Sequence, residues 1–229
     1  MKAAAKVPPA PPLSAEGLVV GHRAPLFGPV DVRLEAGEVV ALLGPNGSGK
    51  STLLRTLSLL IPSLSGGIRY GDRDARELPE GERARRVAIV LTRVDFSPFL
   101  TVEEAVSLGR IPHTRWHGLP TAEDQAIVRE TLRRSGLEPW ARRRIGELSD
   151  GERQRALIAR AVAQATPVIF LDEPTAHLDL AARHAVLLYL HRLAHETGVA
   201  VLFSTHDYDL AMQVSDRLWI MDKGELETG

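Results

Sequence analysis

The chain has 229 residues, 44% of them hydrophobic, with 28 Lys and Arg against 29 Asp and Glu for a net charge of −1. This length suits one large α/β domain with a sizeable core and room for a small insert, and the balanced charge supplies no strong field for nucleic acid, which is not an expected partner. Cysteine is absent, which excludes disulfide and thiolate chemistry, and apolar runs such as "VVALL" at 39–43 and "VAVLF" at 199–203 fall far short of the ~20 residues of a membrane-spanning helix.

Residues 1–16 are rich in Pro and Ala and lack the apolar stretch of a secretory leader, so an extended or disordered lead-in is predicted. Apolar strand-like runs follow at 30–34 and 39–43, and "GPNGSGKST" at 44–52 opens a helix predicted over 50–60. The nine residues match the phosphate-loop pattern G-x-x-x-x-G-K-[ST], and the preceding strand and following helix are the context that pattern requires. Backbone N–H groups of Gly44, Asn46, Gly47, Ser48 and Gly49 would then surround phosphate oxygens, with Pro45 shaping the loop. Lys50 would neutralise β/γ-phosphate charge, and Ser51, with Thr52 beside it, would face Mg²⁺.

Further strands are predicted at 68–70 and 87–91. Residues 92–148 have no convincing buried strand but have helical stretches at 101–109 and 121–136, with Thr101 and Thr121 as N-cap candidates. They form a helical insert between the core segments 17–91 and 149–229. Within it "ARRR" at 141–144 reads as solvated and Trp140 as packed in a small core, while the role of Trp116 is open. The core resumes at "ELSDGERQRALIARA", 147–161, where Ser149 and Glu152 fit a capping box at the start of a helix over 151–165. That turn has two readings: it satisfies its own helix N-terminus, or Ser149 and the Gly151 N–H face an anion.

"VIFLDEPTAHLD" runs a buried strand, 168–171, into two carboxylates. Asp172 can hold Mg²⁺ through water, and Glu173 is placed to orient or deprotonate an attacking water. Asp179 is the N-cap expected for a helix over 180–196, whose Val186, Leu187, Leu190, Leu193 and Ala194 share one face. In "VLFSTHDYDLA" a strand, 199–203, precedes His206 and a helix over 207–214; a final strand spans 217–222. Ligands bind at the carboxyl ends of parallel strands, within reach of His206. His184, His191 and His195 share a helix face, but a structural zinc site needs about four ligands and nothing in the sequence supplies the rest, so a solvated face is expected.

"GPNGSGKST", "LSDGERQR", "FLDEPTAHLD" and "STHD", in that order, resemble the ATP-binding subunit of an ABC transporter over nearly everything from Leu18 to Gly224. The resemblance implies an α/β P-loop NTPase (ABC ATPase) core with a mainly parallel sheet, an antiparallel β subdomain and a small helical insert. It implies an ATPase using ATP and Mg²⁺, with Glu173, His206 and Lys50 in catalysis. Two copies would meet head-to-tail, so that Ser149 and Gly151 of one hold the γ-phosphate bound by the other. Further implied partners are an integral membrane permease and, indirectly, a substrate-binding protein, with the subunit peripheral on the cytoplasmic face of the inner or plasma membrane. "LTVEEAVSLGRIPH" at 100–113 resembles the importers of iron–siderophore, haem and cobalamin.

Three positions depart from the family pattern. Thr92 stands where a Gln usually touches Mg²⁺. His22 stands where an aromatic stacks on adenine. Asp150 and Glu152 replace the usual Gly and Gln of the signature turn. These departures leave a slow-turnover, ATP-gated dimerisation module as one alternative; a soluble ABC ATPase of DNA repair or ribosomes is another, disfavoured by the single core and short insert.

Overall fold

A computed structural model describes residues 13–92, 96–114, 119–176 and 178–229. Strands β1 (Leu13–Gly21) and β2 (Pro25–Leu34) form an antiparallel hairpin, and β3 (Val39–Leu43) leads through the glycine-rich loop into α1 (Lys50–Leu57). β4 (Ser65–Tyr70) and β5 (Arg73–Asp74) then complete a four-stranded antiparallel sheet in the order β2-β1-β4-β5. After α2 (Glu80–Arg86) comes β6 (Val87–Val90), then the insert helices α3 (Val102–Ser107) and α4 (Ala122–Arg134). α5 (Asp150–Ala163), β7 (Val168–Leu171), α6 (Leu180–Thr197), β8 (Ala200–Thr205), α7 (Tyr208–Val214), β9 (Arg217–Asp222) and β10 (Glu225–Thr228) finish the chain. The second sheet has the order β10-β9-β3-β8-β7-β6, parallel except for the terminal β9–β10 hairpin.

Among the strands that differ from the sequence expectation, β1, β2 and β10 do so for identifiable reasons. β1 begins at Leu13, inside the predicted lead-in. Its buried positions Leu13, Ala15, Leu18 and Val20 break the two-residue period at Gly17, where the β1–β2 pairing is irregular. β2 begins at Pro25 rather than at residue 30; it carries two prolines, which an edge strand tolerates. β10, "ELET", has no apolar alternation and is held through the Lys223–Gly224 turn, where both residues have positive φ as a tight hairpin requires.

Apolar side chains fill three clusters. One lies between the two sheets and α1, and includes Trp219, Phe170, Leu53 and Tyr70. The second covers the other face of the parallel sheet with α5, α6 and α7; Val186, Leu187, Leu190, Leu193 and Ala194 of α6 all join it, and Asp179 caps that helix by accepting the Ala182 N–H at 2.8 Å. The third unites Val102, Ala105, Val106, Val128, Leu132, Ile145 and Leu148 of the insert with Ala156, Ala159 and Ala163 of α5. α5 therefore belongs to two cores at once. Its Leu157, Ile158 and Ala161 face the sheet, and its alanine stripe seats the insert.

Thr101 with Glu104 and Thr121 with Asp124 form capping boxes at the starts of α3 and α4. The first helix is shorter than predicted: a 3-10 segment, Leu108–His113, succeeds α3 and contains Pro112. Gly109 lets that segment lie against α5, since a Cβ there would meet the Arg160 carbonyl at 2.1 Å. Beside it Arg110 donates to Asp124 at 2.9 Å and to the Ala163 carbonyl at 2.7 Å, a buried ion pair tying α4 to the end of α5. Trp140 packs on this third core under the Arg155 guanidinium, 5.4 Å from the ring centroid. Trp116 lies outside the described residues.

Candidate functional site

The register of the parallel sheet brings the predicted residues to one edge. Leu43 pairs with Thr205, Leu171 with Phe203, and Val90 with Leu171. The carboxyl ends of β3, β6, β7 and β8 are thus level, and the segments after them converge, as at the ligand crevice of open α/β sheets.

Following β3, the glycine-rich loop wraps into α1. Gly49 takes φ 107° at the helix N-cap, a left-handed conformation that calls for glycine, and Leu26 and Phe27 of β2 lie close beside it. No side chain caps α1 and its first turn holds no acidic residue. Its free N–H groups and positive dipole end are therefore open to an anion. Lys50 Nζ donates to the Gly44 and Pro45 carbonyls at 2.7 and 3.0 Å. Burial lowers the Lys50 pKa, opposed by Glu173 and Asp172, whose negative charges favour the ammonium. Ser48 Oγ is shielded from solvent and has no hydrogen-bond partner among the described residues. A buried hydroxyl without a partner is costly, and a phosphate oxygen seated in this loop is the acceptor that fits it.

The two carboxylates at the end of β7 occupy different environments. Asp172 is 3% exposed; its Oδ1 accepts from Ser51 Oγ at 2.9 Å and from Ser204 Oγ at 2.8 Å, while its N–H donates to the Val90 carbonyl at 2.8 Å. Glu173 is turned by a positive φ of 49°, its N–H donates to Ser204 Oγ at 2.9 Å, and its Oε1 lies 4.0 Å from His206 Nδ1. Successive residues thus aim one carboxylate at Ser51 of the phosphate loop and the other at the histidine after β8. A hard divalent cation fits the first arrangement, with the Ser51 hydroxyl and a buried carboxylate oxygen as donors.

The other predicted residues lie around this centre. Thr92 Oγ1 donates to the Asp172 carbonyl at 3.0 Å, so the residue sits beside Asp172 with its hydroxyl proton engaged by the backbone. His22 is exposed in the turn between β1 and β2, whose Leu26 and Phe27 touch the position of Gly49. Thr52 follows Ser51 in the first turn of α1.

Ser149 and Gly151 begin α5, and among the described residues their hydrogen bonds stay within that turn. Ser149 N–H and Oγ donate to Glu152 Oε2 at 2.8 and 3.0 Å, and Ser149 Oγ accepts the Glu152 N–H at 3.3 Å. The backbone N–H of Ser149 leads the contacts that hold the Glu152 carboxyl below its usual range. Asp150 pairs with Arg153 at 3.1 Å. Both acidic departures from the family signature are therefore engaged inside the turn, Asp150 by the Arg153 guanidinium and the Glu152 carboxylate by the Ser149 donors.

Sequence reading overlooked Ser204. It is fully buried at the end of β8, which runs to Thr205 rather than Phe203, and it joins Asp172 to Glu173 through one hydroxyl. Its signal was a small hydroxyl residue between an apolar strand and "THD".

A family model described as "ABC transporter" matches residues 27–176. Among characterised proteins, the petrobactin import ATP-binding protein FpuC of Bacillus anthracis is 40% identical over 198 residues, 86% of this chain and 73% of its own length. The hemin import ATP-binding protein HmuV of Streptomyces coelicolor is 41% identical over 229 residues, 97% of this chain and 80% of its own length. The dimeric post-hydrolysis structure of the ATP-binding cassette MJ0796, bound to ADP and Pi, superposes with a TM-score of 0.80 at 27% identity, covering 94% of this chain and 98% of the other. The chain belongs to the ABC transporter family, as one of its ATP-binding subunits and an ATPase.

Proposed function

We propose that this subunit powers import of iron–siderophore, haem or cobalamin cargo, acting as a head-to-tail pair at the cytoplasmic face of the membrane. The import named in FpuC and HmuV supports the cargo class, as does the segment "LTVEEAVSLGRIPH" at 100–113. No helix among the described residues is long and apolar enough to cross a membrane, so a permease supplies the pathway and a substrate-binding protein delivers the cargo to it.

The observation that carries the catalytic reading is the sorting of two adjacent carboxylates. Asp172, fixed by Ser51 and Ser204, is the group that holds Mg²⁺, with Thr92 beside it acting through water. Glu173, facing His206, is the group that takes a proton from the attacking water. Held by Asp172 and Ser51, Mg²⁺ would supply positive charge against the β- and γ-phosphate oxygens. Lys50 exchanges the Gly44 and Pro45 carbonyls for phosphate oxygens, Ser48 Oγ gains an acceptor, the open N-terminus of α1 cradles the anion, and His206 reaches the γ-phosphate. His22 stacks on the adenine.

One side of the γ-phosphate is then left for Ser149 and the Gly151 N–H of a second chain. A helix N-terminus is worth only ~0.3–1 kcal/mol to an exposed anion and up to ~2 when partly buried. Two such sites closing together link ATP to dimerisation, and hydrolysis releases the pair.

The test is Glu173→Gln with ATP and Mg²⁺, sized by light scattering. Removing a general base slows chemistry by typically ~10²–10⁴-fold, so the variant accumulates as a dimer with ATP and stays monomeric with ADP. Adding Ser149→Arg abolishes the dimer while monomer ATP binding survives. Loss of ATP binding in that monomer would mean the turn acts within one chain. Co-purification with a membrane permease tests the transport role separately.

A further inference from the structure

At the opposite end of the parallel sheet, α6 presents a chemistry that the ATPase site does not use. His191 and His195 are one turn apart, with ring centroids 4.2 Å apart. Asp216, the residue before β9, comes up beside them: its Oδ1 lies 3.2 Å from His195 Nε2. One ligand atom from each of the three falls within 4.8 Å of the others. The sequence expectation of a solvated histidine face left Asp216 out, because it is distant in the chain and is carried there by the loop after α7.

The hydrogen bonds around the trio decide which atoms remain available. His191 Nδ1 is 2.9 Å from the Val214 carbonyl, and His195 Nδ1 is 2.9 Å from the His191 carbonyl. A carbonyl only accepts, so each Nδ1 carries the proton and the neutral ring offers its lone pair at Nε2. This is the arrangement that orients histidines toward metals elsewhere: one ring nitrogen held by a backbone carbonyl, the other free to ligate. Asp216 is held similarly, its Oδ2 accepting the Val39 N–H at 2.8 Å, which leaves Oδ1 facing the rings.

We propose that His191 Nε2, His195 Nε2 and Asp216 Oδ1 form a site for a borderline divalent cation, with Zn²⁺ as its occupant. Two imidazoles and one carboxylate are donors that suit zinc over Mg²⁺ or Ca²⁺, which favour all-oxygen sites. Tetrahedral zinc with bonds of about 2.0–2.2 Å sets its ligand atoms about 3.4 Å apart. The His195–Asp216 pair has that spacing already, and closing the trio takes a shift of about an ångström in exposed or half-exposed side chains. Water takes the fourth position, as in three-ligand zinc sites. The ion would clamp the last turns of α6 to the start of β3 and the entrance of β9, at the amino ends of strands whose carboxyl ends carry the nucleotide site. It therefore acts on stability and not on the phosphate chemistry.

The test is calorimetric titration of the full, untagged chain with ZnCl₂. One Zn²⁺ per chain is expected to be retained at this site, with affinity lowered at least tenfold in His195→Gln and in Asp216→Asn and unchanged in His184→Gln. At a hundredfold excess over the dissociation constant, linkage predicts a Tm rise of roughly 5–10 °C for a chain of this size, absent with MgCl₂ and absent in the His191→Gln/His195→Gln double variant. Cobalt(II) bound to the parent should give the visible absorption of a four-coordinate site. If the double variant binds zinc as the parent does, or the parent shows no saturable binding, the trio is a surface ion pair and the proposal fails.

Discussion

Asp124→Asn tests the joint between the helical insert and α5. The Arg110 and Asp124 side chains are 7% and 5% exposed, and Asp124 takes two further bonds, from the Thr121 N–H at 2.9 Å and hydroxyl at 2.7 Å. Burial pushes the Asp124 carboxyl upward, but the Thr121 donors and the Arg110 guanidinium outweigh it and hold the pKa at about 2. Against an unfolded value of about 3.9, that depression corresponds to stabilisation on the order of 2–3 kcal/mol. Removing one partner of a buried pair costs about 3–5 kcal/mol, because the other charge is left uncompensated. We therefore expect Asp124→Asn to cost about 3 kcal/mol, lowering Tm at pH 7 by roughly 6–12 °C for a chain of this size. Because the folded pKa is depressed, this stabilisation is fully present above about pH 4 and is lost as pH falls toward 2. Thermal unfolding of parent and variant should show a constant Tm gap from pH 6 to 8 that narrows below pH 4. A gap that stays constant down to pH 2.5, or a loss below about 1 kcal/mol, would refute the electrostatic account. The double change Arg110→Met/Asp124→Leu should recover part of the loss, since a well-packed apolar pair replaces an ion pair at little cost while the Thr121 N–H and hydroxyl lose their acceptor.

Three further outcomes follow from the site. Ser204→Ala leaves the Glu173 N–H without its acceptor and Asp172 with one fewer donor; a buried unsatisfied group costs about 1–3 kcal/mol, so turnover should fall by about tenfold or more while ATP binding, measured by fluorescence titration, changes little. Thr92→Gln frees the Asp172 carbonyl and supplies an amide next to the metal; Mg²⁺ affinity or turnover should rise, and a drop in both would show that the site has adapted to the hydroxyl. His22→Ala should weaken ATP binding several-fold, in line with about 0.5–1.5 kcal/mol for an aromatic face, and His22→Tyr should preserve or improve it; unchanged binding in the alanine variant would place the adenine elsewhere.

Much of the core was legible because its signals are local and repeated. "VVALL", "VIFL" and the α6 face carry continuous or 3.6-residue apolar patterns, and Asp179, Thr101 and Thr121 cap where their side-chain chemistry directs. The antiparallel sheet was less legible, for reasons visible in its residues. Gly17 and its bulge break the alternation of β1, prolines mask β2 at an edge, and β4 begins with "SGG", which has almost no side chain to pattern. Strand pairing there is set by partners far along the chain, such as Leu13 with Tyr70, which no local window contains.

The site divides along the same line. The phosphate loop, Asp172 and Glu173 are contiguous motifs whose spacing states their chemistry. Ser204 became visible only once β7 and β8 were paired in register, because its importance lies in touching both halves of the Asp172–Glu173 step. Its single hydroxyl donates to one carboxylate and accepts from the N–H of the next residue, so the carboxylate beside Ser51 and the one facing His206 cannot be repositioned independently. The proposed division of labour, with a metal held by one acidic residue and a proton moved by its neighbour, needs some element to keep the two apart. In this fold that element comes from the adjacent strand, and it also supports the positive φ of Glu173, a conformation that costs energy and persists only when its surroundings hold it.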